Sequence, residues 1–451
     1  MESKTAAAQA VMAARRKELE DQENARLADE VASYFRSNPR LRYVEPAGIG
    51  RHGGVLLLRE NDDGGRMKRR LVIKYSLNPK EDDALRNEHR WLKRLRGAEH
   101  IGQLVELADA SLELVSLKNA PRSQGDGQTA PGQADAGEAG PAAGNQSADD
   151  KDNGRRPTLA LEYVEHGTVF QWMRKLYGMG YPAGIPNRIL WSLLLCPMAY
   201  PPDGPDGAEP RRETIQPGRE PSTLTQGSGH LNNVLISKIF PGDPDHSYAP
   251  LFKLIDFGRG MEEDSSRQEG VHIGYITNIY AMAQAIETLM VPRQSLPLPN
   301  QREIIDIEDP YGNEIGTVAS MQMLTNQESD GDLRLLLGRC MAVDNQHVPP
   351  LSEVLERCET AVARPAEYYA NLPNGAGRYE TDGAIRQFFE VPILNADEVG
   401  MDIDVTARFL PRHLEQVGFF RRTGNPRTMQ VIYCRPVVNA ANRPGAGEQV
   451  E

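Results

Sequence analysis

Apolar positions between residues 41 and 75 fall in short alternating runs bounded by glycine and polar clusters. This period of two predicts three consecutive strands, over 41–46, 55–59 and 69–75. A glycine cluster joins the first two, and Asn61-Asp62-Asp63-Gly64-Gly65 marks a hairpin between the second and third. The period then lengthens. Residues 81–96 set Leu85, Trp91, Leu92 and Leu95 among charges, as in an amphipathic helix, and 101–107 and 112–117 read as further strands. A strand over 158–164 precedes helical patterns over 170–177, 187–195, 276–290, 333–342 and 351–362. Ahead of all these, residues 5–36 carry Ala, Glu, Arg and Leu with neither Gly nor Pro until Asn38-Pro39, which predicts a charged leader helix packed on the first strands.

Two stretches interrupt the pattern. Residues 119–156 contain no Ile, Leu, Val or aromatic side chain and are too poor in apolar surface to order themselves, so a surface insert is expected there. A second polar, proline-rich insert covers 201–222. The resulting organisation is α+β: a leader at 1–40, a mostly β unit at 41–164, a helical unit at 165–365, an extension at 366–438 and a tail at 439–451.

Composition narrows the function. A chain of 451 residues with a formal charge of −12 is not built mainly to bind nucleic acid or an anionic membrane. Residues 1–24 lack the apolar segment of a signal peptide, and the longest apolar stretch, 189–199, is too short to span a bilayer. Four cysteines without paired metal-ligand spacing fit a reducing compartment, so a cytoplasmic or nuclear location is expected.

Candidate chemistry follows the order of the elements. Gly48-Ile49-Gly50-Arg51-His52-Gly53-Gly54-Val55 lies between two predicted strands, where Gly48, Gly50 and Gly53 would let backbone N–H groups approach phosphates. Lys74 follows on the third strand, and Glu88, fourteen residues on, occupies the predicted helix in a position to pair with it. Leu159 to Gly167 reads as a strand running into a polar linker. There the backbone near Glu162 and Val164 would meet an adenine edge, with Leu161 and Val55 on its faces. Thr225-Gln226-Gly227-Ser228-Gly229-His230-Leu231-Asn232-Asn233 then precedes Asp256-Phe257-Gly258.

This order of parts resembles the eukaryotic protein-kinase superfamily, and specifically the divergent fungal protein-kinase-like proteins. The most specific match is His230-Leu231-Asn232-Asn233-Val234-Leu235-Ile236 followed by Lys253-Leu254-Ile255-Asp256-Phe257-Gly258. The resemblance covers residues 41 to 365 and implies a two-lobed fold, with a small β lobe, a larger helical lobe, and ATP and Mg²⁺ between them. It implies Asn233 and Asp256 as metal ligands and Lys74 on the α/β-phosphates. The catalytic-loop Asp, however, is replaced by Ser228 and its preceding His by Gln226. Asn278 stands where the family has a loop-bracing Asp, and Val348 where it has an Arg that pairs with a Glu also missing here.

Because a serine hydroxyl does not titrate near neutral pH, the resemblance predicts a pseudokinase that binds ATP with Mg²⁺ and transfers phosphate weakly or not at all. The alternatives are an active kinase acting on a protein Ser/Thr or small-molecule hydroxyl, and an interaction scaffold that keeps the fold without nucleotide. In each case a protein partner or hydroxyl acceptor is expected, with neither nucleic acid nor membrane.

Overall fold

The computed structural model describes residues 28–36, 40–49, 53–76, 81–107, 157–178, 184–196, 224–243, 245–262, 273–291 and 302–394, with isolated positions at 12, 15, 18, 22, 24–26 and 38. The architecture is α+β. Strands β1 (Leu41–Ile49), β2 (Gly53–Asn61), β3 (Met67–Ser76) and β4 (Thr158–Glu162) form one antiparallel sheet in sequence order. Alternation along β3 sends Leu71, Ile73 and Tyr75 to one face and Val72 and Lys74 to the other. The first face, with Leu56 and Leu58 of β2, packs on Val31, Ala32 and Phe35 of helix α1 (28–36), so the end of the leader covers the sheet. Across the other face lies α2 (Asp82–Arg94), which buries Glu88, Trp91 and Leu92.

The helices share one larger core. It gathers α3 (Val169–Gly178), α4 (Asn187–Leu195), a short hairpin of β6 (Val234–Ile236) and β7 (Phe252–Leu254), and α5 (Ile273–Met290). It continues through α7 (Gly331–Cys340), α8 (Leu351–Val362) and α9 (Asp382–Phe389). Between α4 and α5, the two-residue strands β5 (Leu224–Thr225) and β8 (Met261–Glu262) pair antiparallel. Before α7 come the hairpin β9 (Ile305–Glu308) and β10 (Glu314–Thr317) and the single turn α6 (Met321–Leu324). Among the described residues, no helix is long and apolar enough to cross a membrane.

Three features depart from the pattern in the sequence. Residues 101–107 make only isolated bridges, Ile101 to Leu254 and Leu104 to Leu161, because Gln103 pins the chain instead. Its Nε2 donates to the carbonyls of Ala98 and Ile101, both at 2.9 Å, and its Oε1 accepts from Gly97 N at 2.9 Å. The β9–β10 hairpin was not anticipated, although Ile305 to Glu308 alternates. Asp309 Oδ1 accepts from the N–H groups of Tyr311 and Asn313 and shapes its turn. Residues 366–394 join the main core from where an extension was expected: Trp172 Nε1 donates to Phe388 O at 2.7 Å, and the Trp172 ring stacks on Phe389. The strand expected at 112–117, the inserts at 119–156 and 201–222, and the tail lie outside the described residues.

Candidate functional site

Strand register brings the glycine segment and the lysine together. Gly48 pairs with Val55, Val55 with Lys74, and Lys74 with Leu159, so four positions on four strands form one row across the sheet. Gly50 lies outside the described residues. Gly53 and Gly54 have a packing reason to lack side chains. A Cβ on Gly53 would stand 2.7 Å from Tyr75 O, and one on Gly54 would stand 2.2 Å from the Tyr75 ring.

Lys74 is the hub. Its Nζ donates to Glu88 Oε2 at 2.6 Å and to Asp256 Oδ1 at 2.8 Å, joining β3, α2 and the turn after β7. Burial disfavours the lysine charge, but the two carboxylates outweigh it and hold its pKa above the ordinary value. Burial pushes the Glu88 carboxyl up; Lys74 opposes this and the Asp256 charge adds to it. Glu88 is 1% exposed, so the lysine neutralises a charge that has little access to water.

The β6–β7 hairpin sets the opposite wall. Val234 pairs with Leu254, and Ile255 N donates to Asn233 O at 2.9 Å, which brings Asn233 and Asp256 side by side. Asn233 Nδ2 donates to Ser228 O at 2.8 Å and Ser228 Oγ at 3.1 Å, and lies 3.5 Å from Asp256 Oδ2. The Asn233 atom facing the Asp256 carboxylate is thus its amide nitrogen. A carboxylate and a carboxamide are the kinds of oxygen donor that suit a hard cation such as Mg²⁺ that retains several waters, with Asn233 turning its amide oxygen to the ion. Asp256 has φ +65°, alone among the described non-glycine residues in the left-handed region.

The Ser228 loop is held by polar side chains. Gln226 Nε2 donates to the carbonyls of Ile255 and Asp256, and Gln226 Oε1 accepts from Ser228 N. Asn278 of α5 bridges the loop's start, accepting from Gln226 N and donating to Leu224 O. Ser228 Oγ sits 3.3 Å from His230 Nε2. Beyond Asp256, Asn87 Nδ2 and Trp91 Nε1 donate to Gly260 O, tying α2 to this segment. Val348 lies in a small apolar group with Ile276, Ile315 and Ala342.

At the linker, Leu161 and Val55 are partly buried and Val164 is buried. The Glu162 N–H is committed to Gln103 O, and the Glu162 carboxylate accepts from Lys253 Nζ at 2.7 Å and Gln103 N at 2.9 Å. The backbone expected to meet a ligand is therefore narrowed to groups other than the Glu162 N–H. No protein-family model matches the chain, and no curated protein matches it.

A second cluster escaped the sequence altogether. His100, Cys196 and His246 meet in the main core from positions 50 to 146 residues apart, a spacing with no local signature. Burial would raise the Cys196 thiol pKa, but the two imidazoles outweigh it and draw it down to about 6.

Proposed function

We propose that this chain is a divergent protein-kinase-like protein, with the sheet and α2 as a small lobe and the helices as a larger one, that binds ATP with Mg²⁺ and transfers phosphate weakly or not at all. The observation that carries this reading is the convergence on one point of Lys74, Glu88, Asn233 and Asp256. Lys74 and Asp256 are 182 positions apart in sequence and 2.8 Å apart in space. In this reading Lys74, aimed by Glu88, holds the α/β-phosphates, and Asn233 and Asp256 hold the metal. Bound Mg²⁺ supplies neutralisation of phosphate charge. Gly48 and Val55 line the nucleotide from the sheet, and Leu161 and Val164 from the linker.

Ser228 occupies the place of the base. Its hydroxyl positions but takes up no proton near neutral pH. Losing a general base costs ~10²–10⁴-fold in rate, roughly 3–5 kcal/mol of barrier. A second reading, active transfer to a protein Ser/Thr or small-molecule hydroxyl, draws on one observation: the 3.3 Å contact of Ser228 Oγ with His230 Nε2, which puts a titratable ring beside the vacant base position.

Thermal unfolding of the full chain with and without ATP and Mg²⁺, beside Lys74→Ala and Asp256→Ala, tests the proposal. Nucleotide at a hundred times its dissociation constant should stabilise by about 2.7 kcal/mol. The expected result is a metal-dependent shift that both variants lose. No shift at millimolar ATP overturns it and leaves a scaffold that keeps only the fold.

A further inference from the structure

Away from Lys74, three side chains with soft or borderline metal donors converge in the main core. His100 comes from the turn after α2, Cys196 from the end of α4, and His246 from the loop between β6 and β7. Their donor atoms all lie within 4.8 Å of one another. His100 Nε2 is 3.1 Å from His246 Nε2, which is 4.0 Å from Cys196 Sγ. Tetrahedral coordination with bonds of about 2.0–2.3 Å sets neighbouring donors ~3.3–3.7 Å apart, a spacing that the two observed distances bracket.

The burial of the group argues against simple packing. Cys196, His246 and His100 are 0%, 2% and 6% exposed. Burying imidazoles costs free energy unless their nitrogens are satisfied. The two facing Nε2 atoms share at most one proton between them. A cation set between the three donors would use both Nε2 lone pairs and the sulfur at once. Thiolate with imidazole selects Zn²⁺ or Cu⁺ over the hard cation suited to Asn233 and Asp256. Among the described residues, no further His, Cys, Asp or Glu joins the set, which leaves a three-ligand site.

We propose that His100, Cys196 and His246 form a buried site for a thiophilic d¹⁰ cation, Zn²⁺ or Cu⁺, that staples the turn after α2 to α4 and to the β6–β7 loop. The staple has a route to the first site, because His100 O accepts from Leu254 N at 2.8 Å, two residues before Asp256. The ion acts structurally; the cluster is too buried for it to meet a substrate.

Titration of the metal-stripped full chain with Co²⁺, read by visible absorption, tests the site. One equivalent should give the thiolate-to-cobalt and tetrahedral d–d bands. Zn²⁺ displaces these if zinc is the native ion, whereas retention of Cu⁺ against a chromophoric Cu⁺ chelator, with weak Zn²⁺ competition, assigns copper. Cys196→Ala and His246→Ala should each abolish the bands, and Cys358→Ala should keep them. A wild-type chain that gives no thiolate–cobalt absorption and retains neither Zn²⁺ nor Cu⁺ overturns the proposal, whether or not the variants fold. Unchanged bands in folded Cys196→Ala overturn it as well, by moving the ion to other donors.

Discussion

Asp256, at φ +65°, holds a conformation that costs a non-glycine residue about 1–3 kcal/mol, and it persists because its neighbours leave it no other place. Lys74 holds its carboxylate and Gln226 its carbonyl. Gly227, at φ +80°, completes the arrangement: a Cβ there would lie 2.5 Å from Arg259 O. Gly227→Ala should therefore destabilise the chain by at least about 1–3 kcal/mol in urea unfolding and shrink any ATP-dependent shift. Lys74→Met leaves Glu88 buried without its cation, so a loss of about 3–5 kcal/mol is expected, much of it regained in the double variant Lys74→Met/Glu88→Met. A double variant no more stable than Lys74→Met would show that the buried charge is not the cause. Ser228→Asp should raise phosphotransfer above wild type by up to ~10²–10⁴-fold if only the base is missing. An unchanged rate with nucleotide still bound would count against Ser228 standing at the base position.

At the scale of elements, α4 depends on a residue almost two hundred positions away. Glu380 accepts from the N–H groups of Asn187 and Arg188, the first two residues of the helix, which has Pro186 and no side-chain cap at its N-terminus. Burial pushes the Glu380 carboxyl pKa up, and the hydrogen bonds from Asn187 and Arg188 only partly oppose it. With the folded pKa raised, the stability linked to its protonation is fully present below the ordinary carboxylate pKa of about 4.3 and is lost as pH rises through the folded value. Glu380→Gln should flatten that decline in unfolding free energy measured across this acid range; an unchanged slope would assign it to other groups. The sheet's register is the second device at this scale. A slip of one residue in β3 would turn Lys74 towards α1 and Ile73 towards the site, so burial of Ile73 and Tyr75 fixes which face the lysine takes.

Across the whole molecule, one apolar core runs from Trp91 on α2 to Ile393, so residues beyond 380 belong to the same cooperative unit as α3 and the β6–β7 hairpin. Phe389 is buried against Trp172 at 4.9 Å between ring centres and near Phe252. Phe389→Ala should cost about 3–5 kcal/mol and lower a single transition seen alike by circular dichroism and tryptophan fluorescence. A separate early transition would show that the segment folds apart. The same core holds Cys196 and Leu254, whose N–H binds His100 O two residues before Asp256.

The sequence by itself determined the α+β character, the three leading strands, the place of Lys74 on the third of them, and the chemical identity of Lys74, Glu88, Asn233, Ser228 and Asp256. Those features are local: alternation marks a strand, and a short motif sets which side chains a turn presents. Tertiary structure decided the rest, because it depends on contacts between distant segments. It reduced the strand expected at 101–107 to two isolated bridges beside a turn held by Gln103, drew residues 366–394 into the core, and committed the Glu162 N–H to Gln103. It also assembled His100, Cys196 and His246 from three segments whose spacing in the chain carries no trace of their meeting, since distances set by packing are not written in any one stretch of residues.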